Sequence, residues 1–346
     1  MVKLTEYTEV GELTKIYRES DASLVPLQGA VVAVVGYGNQ GRAQALNMRD
    51  SGVASVIVGS PKDASYDRAA QDGFSVYPIA EAVKRADVVL VLVPDEVQPM
   101  LFRQQIASNL RQNSAVCFAS GYNIAFKLVE PPDHVDVVMV APRMIGAAVR
   151  RLYQDGKGFP AFVDVAQDAT GHAEERALAL ALAIGALRTG SLRVTFAHEA
   201  WMDLLTEQAV WPLIIKVMED AFAVQVAAGL SPEAVLLELY LSHEPAEVFA
   251  RAAEMGIFEQ MKLHSRTSQY GQLAARPHAN SLPIEEFIRS TLHDRIMSGA
   301  FATDWSKELA SGSRHLEQLQ SELSEHPMSD AERRFWETFG QHERSQ

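Results

Sequence analysis

The stretch Ala30-Val31-Val32-Ala33-Val34-Val35-Gly36-Tyr37-Gly38-Asn39-Gln40-Gly41 decides the fold. Its first six residues form an apolar run without polar alternation, the pattern of a strand buried on both faces of a parallel sheet. A glycine turn follows at once. Ala43, Leu46, Asn47 and Met48 then recur at helical spacing until Asp50-Ser51-Gly52 ends the helix, and Val53 to Gly59 reads as a second strand. Glycine triplets also arise by chance, but Gly36-x-Gly38-x-x-Gly41 inside a strand-helix-strand unit has a mechanism. Gly36 allows the tight turn, Gly38 lets the backbone approach a pyrophosphate, Gly41 lets the helix pack closely, and the helix N-terminus offers free N–H groups to the anion. The unit is therefore predicted to bind a dinucleotide through Gly36, Tyr37, Gly38, Asn39, Gln40 and Gly41.

Moving outward, the runs Val88–Val93, Ala115–Ala119, Val135–Val140 and Ala161–Val165 alternate with helical segments. This order builds a doubly wound, Rossmann-like α/β sheet. Beyond Thr195 the strand signals stop. Amphipathic stretches from Glu199 to Ala228 and from Pro232 to Met255 replace them, with Gly229, Gly256 and Gly299 as helix stops. The chain thus divides into a dinucleotide-binding domain over residues 1–191 and an all-α domain over 192–346, whose charged last residues are expected to fray.

Composition narrows the function. With 346 residues, 47% hydrophobic and 22% charged, the chain is an ordinary globular one, and at ~100–200 residues per domain it holds about two domains. A net charge of -13 argues against nucleic-acid or anionic-membrane partners. The single Cys117 excludes an intramolecular disulfide and a multi-cysteine zinc site, which fits a reducing, cytoplasmic setting. The first twenty residues carry scattered charges and do not read as a signal peptide. The longest apolar stretch, Ala177–Leu187, falls short of the about 18 residues needed to cross a bilayer.

The choice of dinucleotide rests on the end of the second strand, where an NAD site usually carries an acid for the ribose 2′-hydroxyl. Here that position is Gly59-Ser60. In the loop that follows, Ser60, Lys62 and Ser65 are suited to a 2′-phosphate, whereas Asp63 would repel one. Read more plainly, Lys62 and Asp63 form a solvated loop pair. NADPH and NADH both stay open.

Other blocks extend the pattern: Ala45-Leu46-Asn47-x-Arg49-Asp50-Ser51-Gly52, Asp72-Gly73-Phe74, Pro94-Asp95-Glu96-Val97-Gln98, Gly121-Tyr122-Asn123-Ile124, Asp203-Leu204-x-x-Glu207-Gln208-Ala209-Val210, Tyr270-Gly271 and Ser298-Gly299-x-Phe301. In order and over nearly the whole chain, they resemble the blocks of ketol-acid reductoisomerases, the acetohydroxy-acid isomeroreductases of branched-chain amino-acid synthesis. The resemblance implies a short-form enzyme whose knotted all-helical C-terminal domain dimerises and completes the active site across the dimer. It also implies two Mg2+ ions that stabilise charge during alkyl migration and then polarise the keto group for hydride transfer. By the same resemblance Asp203 and Glu207 are the first acidic pair, Ser265 binds substrate, Pro94 and Asp95 border the cofactor, and Ser120 stands where the family has a histidine. The plainer reading of Asp203 and Glu207 is a solvated helix face, and of Ser265 a helix cap.

Three departures touch the chemistry. The family's second acidic pair is incomplete in Glu238-Leu-Tyr240-Leu-Ser242-His243-Glu244: aligned on Glu244 the partner position is Tyr240, and aligned on Glu238 it is Ser242. An uninterrupted helix, at ~100° per residue, turns about 240° between Glu238 and Glu244 and cannot aim both at one ion. Candidate metal ligands are thus Asp203, Glu207 and Glu244, with Glu238 behind it, for one Mg2+ rather than two. The family's lysine block reads Ala141-Pro142-Arg143-Met144-Ile145-Gly146 here, and arginine keeps the charge but does not readily give up a proton. The family's cofactor-facing arginine aligns with Pro61.

The hydride apparatus is kept and the isomerisation apparatus is altered. The expectation is an NAD(P)H-dependent reductase, a homodimer, that reduces the C=O or C=N of a small 2-oxo acid or imine without alkyl migration. Arg143 would clamp the carboxylate or polarise the acceptor, Asp203 and Glu207 would hold one Mg2+ or a substrate ammonium, and Ser265 would orient the substrate. Two alternatives stand beside it: an authentic ketol-acid reductoisomerase converting 2-acetolactate to 2,3-dihydroxyisovalerate, and a non-catalytic dinucleotide-binding protein.

Overall fold

The computed structural model describes residues 15–339. The expectations about a signal peptide and a frayed C-terminus fall, for residues 1–14 and 340–346, outside the described residues. Two compact units divide between Met202 and Asp203.

The first unit is built on one nine-stranded sheet: β1 (Ile16–Tyr17), β2 (Val31–Val35), β3 (Ser55–Gly59), β4 (Ser75–Tyr77), β5 (Val88–Val91), β6 (Ala115–Phe118), β7 (Asp136–Pro142), β8 (Ala161–Gln167) and β9 (Ser191–Arg193), in the order β1-β9-β8-β7-β6-β5-β2-β3-β4. Strands β4, β3, β2, β5, β6 and β7 are mutually parallel, which is the doubly wound arrangement. Beyond β7 the sheet is extended by β8, antiparallel to β7, by β9, parallel to β8, and by β1, antiparallel to β9. The last strand runs from Ser191 to Arg193, across the domain boundary expected at 191/192.

Alternate residues of β2 feed two cores, because successive side chains on a strand face opposite ways. Val32 and Val34 pack with Leu46 and Met48 of α1 (Asn39–Asp50) and with Leu180 and Ile184 of the helix Ala173–Ile184. Ala33 and Val35 pack on the other face with Ile79 and Val83 of α3 (Ile79–Arg85) and with Phe102 and Ile106. Val32, Ala33, Val34 and Val35 are all fully buried, which is why this strand carries no polar residue. Strand order reverses between β2 and β5, and ligands of such sheets bind outside the carboxyl ends at that point.

The second unit is helical throughout its described residues. Gly229, Gly256 and Gly299 adopt φ of +92°, +102° and +77° at helix ends, conformations that L side chains resist. The helix Phe196–Leu205 continues through a π turn, Thr206–Val210, into Trp211–Ala227. The expectation of one stretch from Pro232 to Met255 is corrected. A π turn at Leu237–Leu241 ends the first piece, His243 takes φ +65°, and Glu244–Met255 starts afresh. Pro245 explains the break, since its ring would clash with the Leu241 carbonyl and it has no N–H to continue the ladder. Among the described residues, no helix is long and apolar enough to cross a membrane.

Candidate active site

The turn between β2 and α1 has the three properties a dinucleotide requires. Gly36 sits at φ +92°, and a Cβ there would meet Val93 Cγ1 at 2.7 Å. At Gly41 a Cβ would lie 2.0 Å from the Gly36 carbonyl oxygen, so the helix can start against the turn only as glycine. Gly38 faces open space, with no atom within 4 Å of an added Cβ. The open face belongs to a cavity of about 660 Å3 lined by the turn, by Ser60, Pro61, Lys62, Asp63, Ser65 and Tyr66 after β3, and by Leu92, Val93 and Pro94 after β5. A dinucleotide fits these residues: a close-approach turn, a helix N-terminus and an apolar wall.

The cofactor candidates divide in two. Gly36, Tyr37, Gly38, Ser60, Lys62, Ser65 and Pro94 line the cavity. Tyr37 does so with its backbone turn anchored, because its buried hydroxyl donates to Asp72 Oδ2 at 2.9 Å and its ring meets Phe74 edge-on. Gln40 instead donates its amide to the Met144 carbonyl at 2.8 Å. Asn39 lies under Gly146, where a Cβ would sit 2.2 Å from the Asn39 carbonyl oxygen. The Gln40 side chain and the Asn39 backbone thereby meet the Arg143-Met144-Ile145-Gly146 loop. Asp95 accepts from the amides of Gln98 and Asn123, and Ser120 Oγ accepts from the Tyr122 N–H. Two buried atoms here, Tyr122 Oη and Asn123 Oδ1, have no hydrogen-bond partner in the described residues, the mark of a place completed by ligand or water. Burial, with the Asp95 charge adding to it, pushes the Tyr122 phenol up to about 12.

Arg143, at the end of β7, points to a residue the sequence reading missed. Glu199 is 1% exposed, and its two oxygens divide their work. One accepts from the Gly121 N–H at 2.6 Å and the other from Arg143 Nη1 at 2.7 Å. The Arg143 guanidinium also lies over the Phe162 ring, 5.1 Å from its centroid. Gly121 is glycine for a packing reason, since a Cβ would fall 2.0 Å from the Phe196 carbonyl oxygen. The signal for Glu199 was present: it stands four residues before Asp203, which itself stands four before Glu207, on a helix with apolar neighbours.

The remaining candidates lie in the helical unit. Asp203 lies in the last turn of the helix Phe196–Leu205 and Glu207 in the π turn that follows, a helix defect frequent at functional sites. Glu238 lies in the second π turn and Glu244 opens a new helix, both exposed, so the angular argument for an unbroken helix does not apply to them. Tyr240, at the other candidate position, donates its hydroxyl to Glu332. Ser265 is the N-cap of the helix Arg266–Ala279, its Oγ accepting from the Ser268 N–H at 3.2 Å. Among the described residues, no three His, Cys, Asp or Glu side chains gather closely enough to hold a metal ion.

Comparison with known proteins decides the family. Residues 26–190 match the acetohydroxy acid isomeroreductase NADPH-binding domain, and residues 196–339 match the ketol-acid reductoisomerase C-terminal domain. The chain belongs to the ketol-acid reductoisomerase family. A ketol-acid reductoisomerase (NADP(+)) of Pyrobaculum neutrophilum is 44% identical over 321 residues, covering 91% of this chain and 96% of its own. That of Pyrococcus abyssi is 41% identical, covering 91% and 94%. The solved structure of an NADH-preferring ketol-acid reductoisomerase from an uncultured archean superposes with a TM-score of 0.87 at 35% identity, over 94% of this chain and all of that one. This ketol-acid reductoisomerase relative is accordingly an NAD(P)-dependent oxidoreductase with the Rossmann-like and helical units expected of its family.

Proposed function

We propose that the protein reduces the C=O or C=N of a small 2-oxo acid or imine without the alkyl migration of its relatives. The observation that carries this reading is the Arg143–Glu199 pair. Migration calls for strong charge stabilisation over two substrate oxygens; reduction calls for one polarised atom held near the nicotinamide. Arg143 keeps its charge at any working pH, and its planar fork binds a carboxylate by parallel N–H donors. Glu199 below and Phe162 beneath its plane fix the direction of that fork. When bound, the dinucleotide supplies the hydride.

In the same proposal Asp203 and Glu207 offer two carboxylates to one cation, either a single Mg2+ or a substrate ammonium, and Ser265 orients the substrate beyond its capping role. Glu244 is the third candidate ligand, with Glu238 as its alternative. The protein works as a homodimer: in a single chain the helical unit exposes Val217, Val224, Phe258 and Tyr270 at 63%, 69%, 62% and 75%, apolar surface of the kind a second copy covers. A cytoplasmic setting agrees with the lone, buried Cys117.

A second reading, an authentic ketol-acid reductoisomerase, draws support from the names of the relatives and from the helix break that frees Glu238 and Glu244 of a common rigid axis. The test is oxidation of NADH and NADPH with 2-acetolactate and with 3-hydroxy-3-methyl-2-oxobutyrate, with and without Mg2+. Turnover of the second compound and not the first supports reduction alone. Magnesium-dependent turnover of 2-acetolactate establishes the second reading. Nucleotide binding without turnover of any keto acid or imine leaves a non-catalytic dinucleotide-binding protein.

A further inference from the structure

We propose that Asp164 is a positioning residue: it fixes the Arg143–Glu199 pair through the first residue of the helix that carries Glu199. The proposal rests on the reading of Arg143 as the clamp for a substrate carboxylate and extends it one residue deeper into the fold. Strand β8 supplies a support to each member of the pair. Phe162 and Asp164 are two apart in that strand and so project from the same face, opposite Ala141 and Met139 of β7. Phe162 lies beneath the Arg143 guanidinium. Asp164 reaches the start of the helix Phe196–Leu205, where its Oδ2 accepts from the Phe196 N–H at 3.0 Å.

Phe196 is held from several directions. The chain entering it is tied to the same strand, since the Val194 N–H donates to the Val163 carbonyl at 3.2 Å. Its carbonyl oxygen is pressed so close to Gly121 that a Cβ there would fall 2.0 Å away, and its ring meets Phe118 edge-on with centroids 6.5 Å apart. Three residues later Glu199 gives its oxygens to the Gly121 N–H and to Arg143. A helix is rigid over one turn, so a shift of its start is carried to Glu199. Capping alone does not account for Asp164, because Thr195 already caps this helix. The Thr195 carbonyl accepts from the Glu199 N–H at 2.9 Å and its Oγ1 from the His198 N–H at 3.2 Å. Asp164 is 8% exposed, and burial pushes its carboxyl above the ordinary value, against the backbone N–H groups of Val165 and Phe196. A buried carboxylate costs more in desolvation than a neutral acceptor that would satisfy the same N–H. What it adds is a charge-assisted, shorter-range hold on Phe196.

The experiment is calorimetric titration of the full-length protein, saturated with NAD+ and separately with NADP+, with 2-hydroxyisobutyrate. This probe carries the carboxylate of a 2-hydroxy acid but has no hydrogen on C2, so it binds without giving back a hydride. The variants are Asp164→Ala, Asp164→Asn, Arg143→Met and Asp164→Ala/Arg143→Met. Asp164→Ala should weaken the probe by about ten-fold or more with nucleotide affinity within about two-fold of the wild type, while Asp164→Asn, which keeps an oxygen for the Phe196 N–H, should stay within about three-fold. In the Arg143→Met background Asp164→Ala should have no further effect, a non-additivity that a general loss of stability does not produce. An Asp164→Ala variant that binds the probe like the wild type, an Asp164→Asn variant as impaired as Asp164→Ala, or full additivity overturns the proposal alone. Loss of nucleotide affinity along with the probe marks damage to the whole unit and also overturns it. An Arg143→Met variant that binds the probe like the wild type, or a wild type that does not bind it, removes the carboxylate clamp itself and overturns the reading of Arg143 together with the proposal.

Discussion

Glu199→Gln is the substitution that tests the site most directly. The carboxylate is buried and gives one oxygen to the Gly121 N–H and the other to Arg143 Nη1, at 2.6 and 2.7 Å. A glutamine amide has the same shape but only one acceptor. Whichever way it turns, its NH2 group faces a donor. One charge-assisted hydrogen bond is therefore lost, worth about 1.5–3 kcal/mol, and the survivor falls to roughly half its strength. Because the Arg143 side chain is 32% exposed, water recovers part of the loss on that side. Gly121 is buried and has no such recourse. The sum is a destabilisation of about 2–4 kcal/mol, which for a unit of this size lowers Tm by roughly 4–16 °C. Thermal unfolding followed by circular dichroism measures it, and a double-mutant cycle with Arg143→Met should return a coupling of about 1–3 kcal/mol. A Glu199→Gln protein that melts within about 2 °C of the wild type, or a cycle with no coupling, would refute the assigned geometry.

Two further outcomes follow from the first unit. Gly41→Ala pushes a methyl to 2.0 Å from the Gly36 carbonyl oxygen, and relieving it should cost about 1–3 kcal/mol and weaken nucleotide binding roughly 5- to 150-fold in a fluorescence titration; unchanged affinity would contradict the turn as drawn. Asp72 is held below its ordinary value, first by the hydrogen bonds from Arg42 and then by the Tyr37 hydroxyl, against the opposing effect of burial. A depressed carboxylate contributes stability above its unfolded pKa near 3.8 and loses it as pH falls through the lower folded value. Asp72→Asn should therefore melt below the wild type at neutral pH, by about 1 kcal/mol in stability, with the gap closing below about pH 4. A gap independent of pH would count against the pairing.

The sequence by itself determined the architecture. The unbroken apolar run before Gly36 required a strand covered on both faces, and the loss of such runs after Thr195 required helices. These are local patterns, readable because burial on a strand or helix repeats with a fixed period. The glycine turn was legible for the same reason, since each glycine answers a local steric demand. Even the break at His243 was written in Pro245, although the acidic residues around it drew the reading toward one helix.

Only the tertiary structure decided what the side chains do. Glu199 was one carboxylate among many until the fold brought the ends of β6 and β7 to the same helix start, where it takes the Gly121 N–H and Arg143 together. Gln40 and Asn39, cofactor candidates in the motif, also meet the Arg143 loop, at the Met144 carbonyl and at Gly146. Asp63, read beside Lys62 in the loop after the second strand, also caps the helix Ala64–Gln71 by accepting from the Ser65 and Tyr66 N–H groups. The π turns at Thr206–Val210 and Leu237–Leu241 have no signature in hydrophobic spacing, and they set where Glu207 and Glu238 sit on their helices. Partners distant in sequence are chosen by packing of the whole chain, and no local period records them.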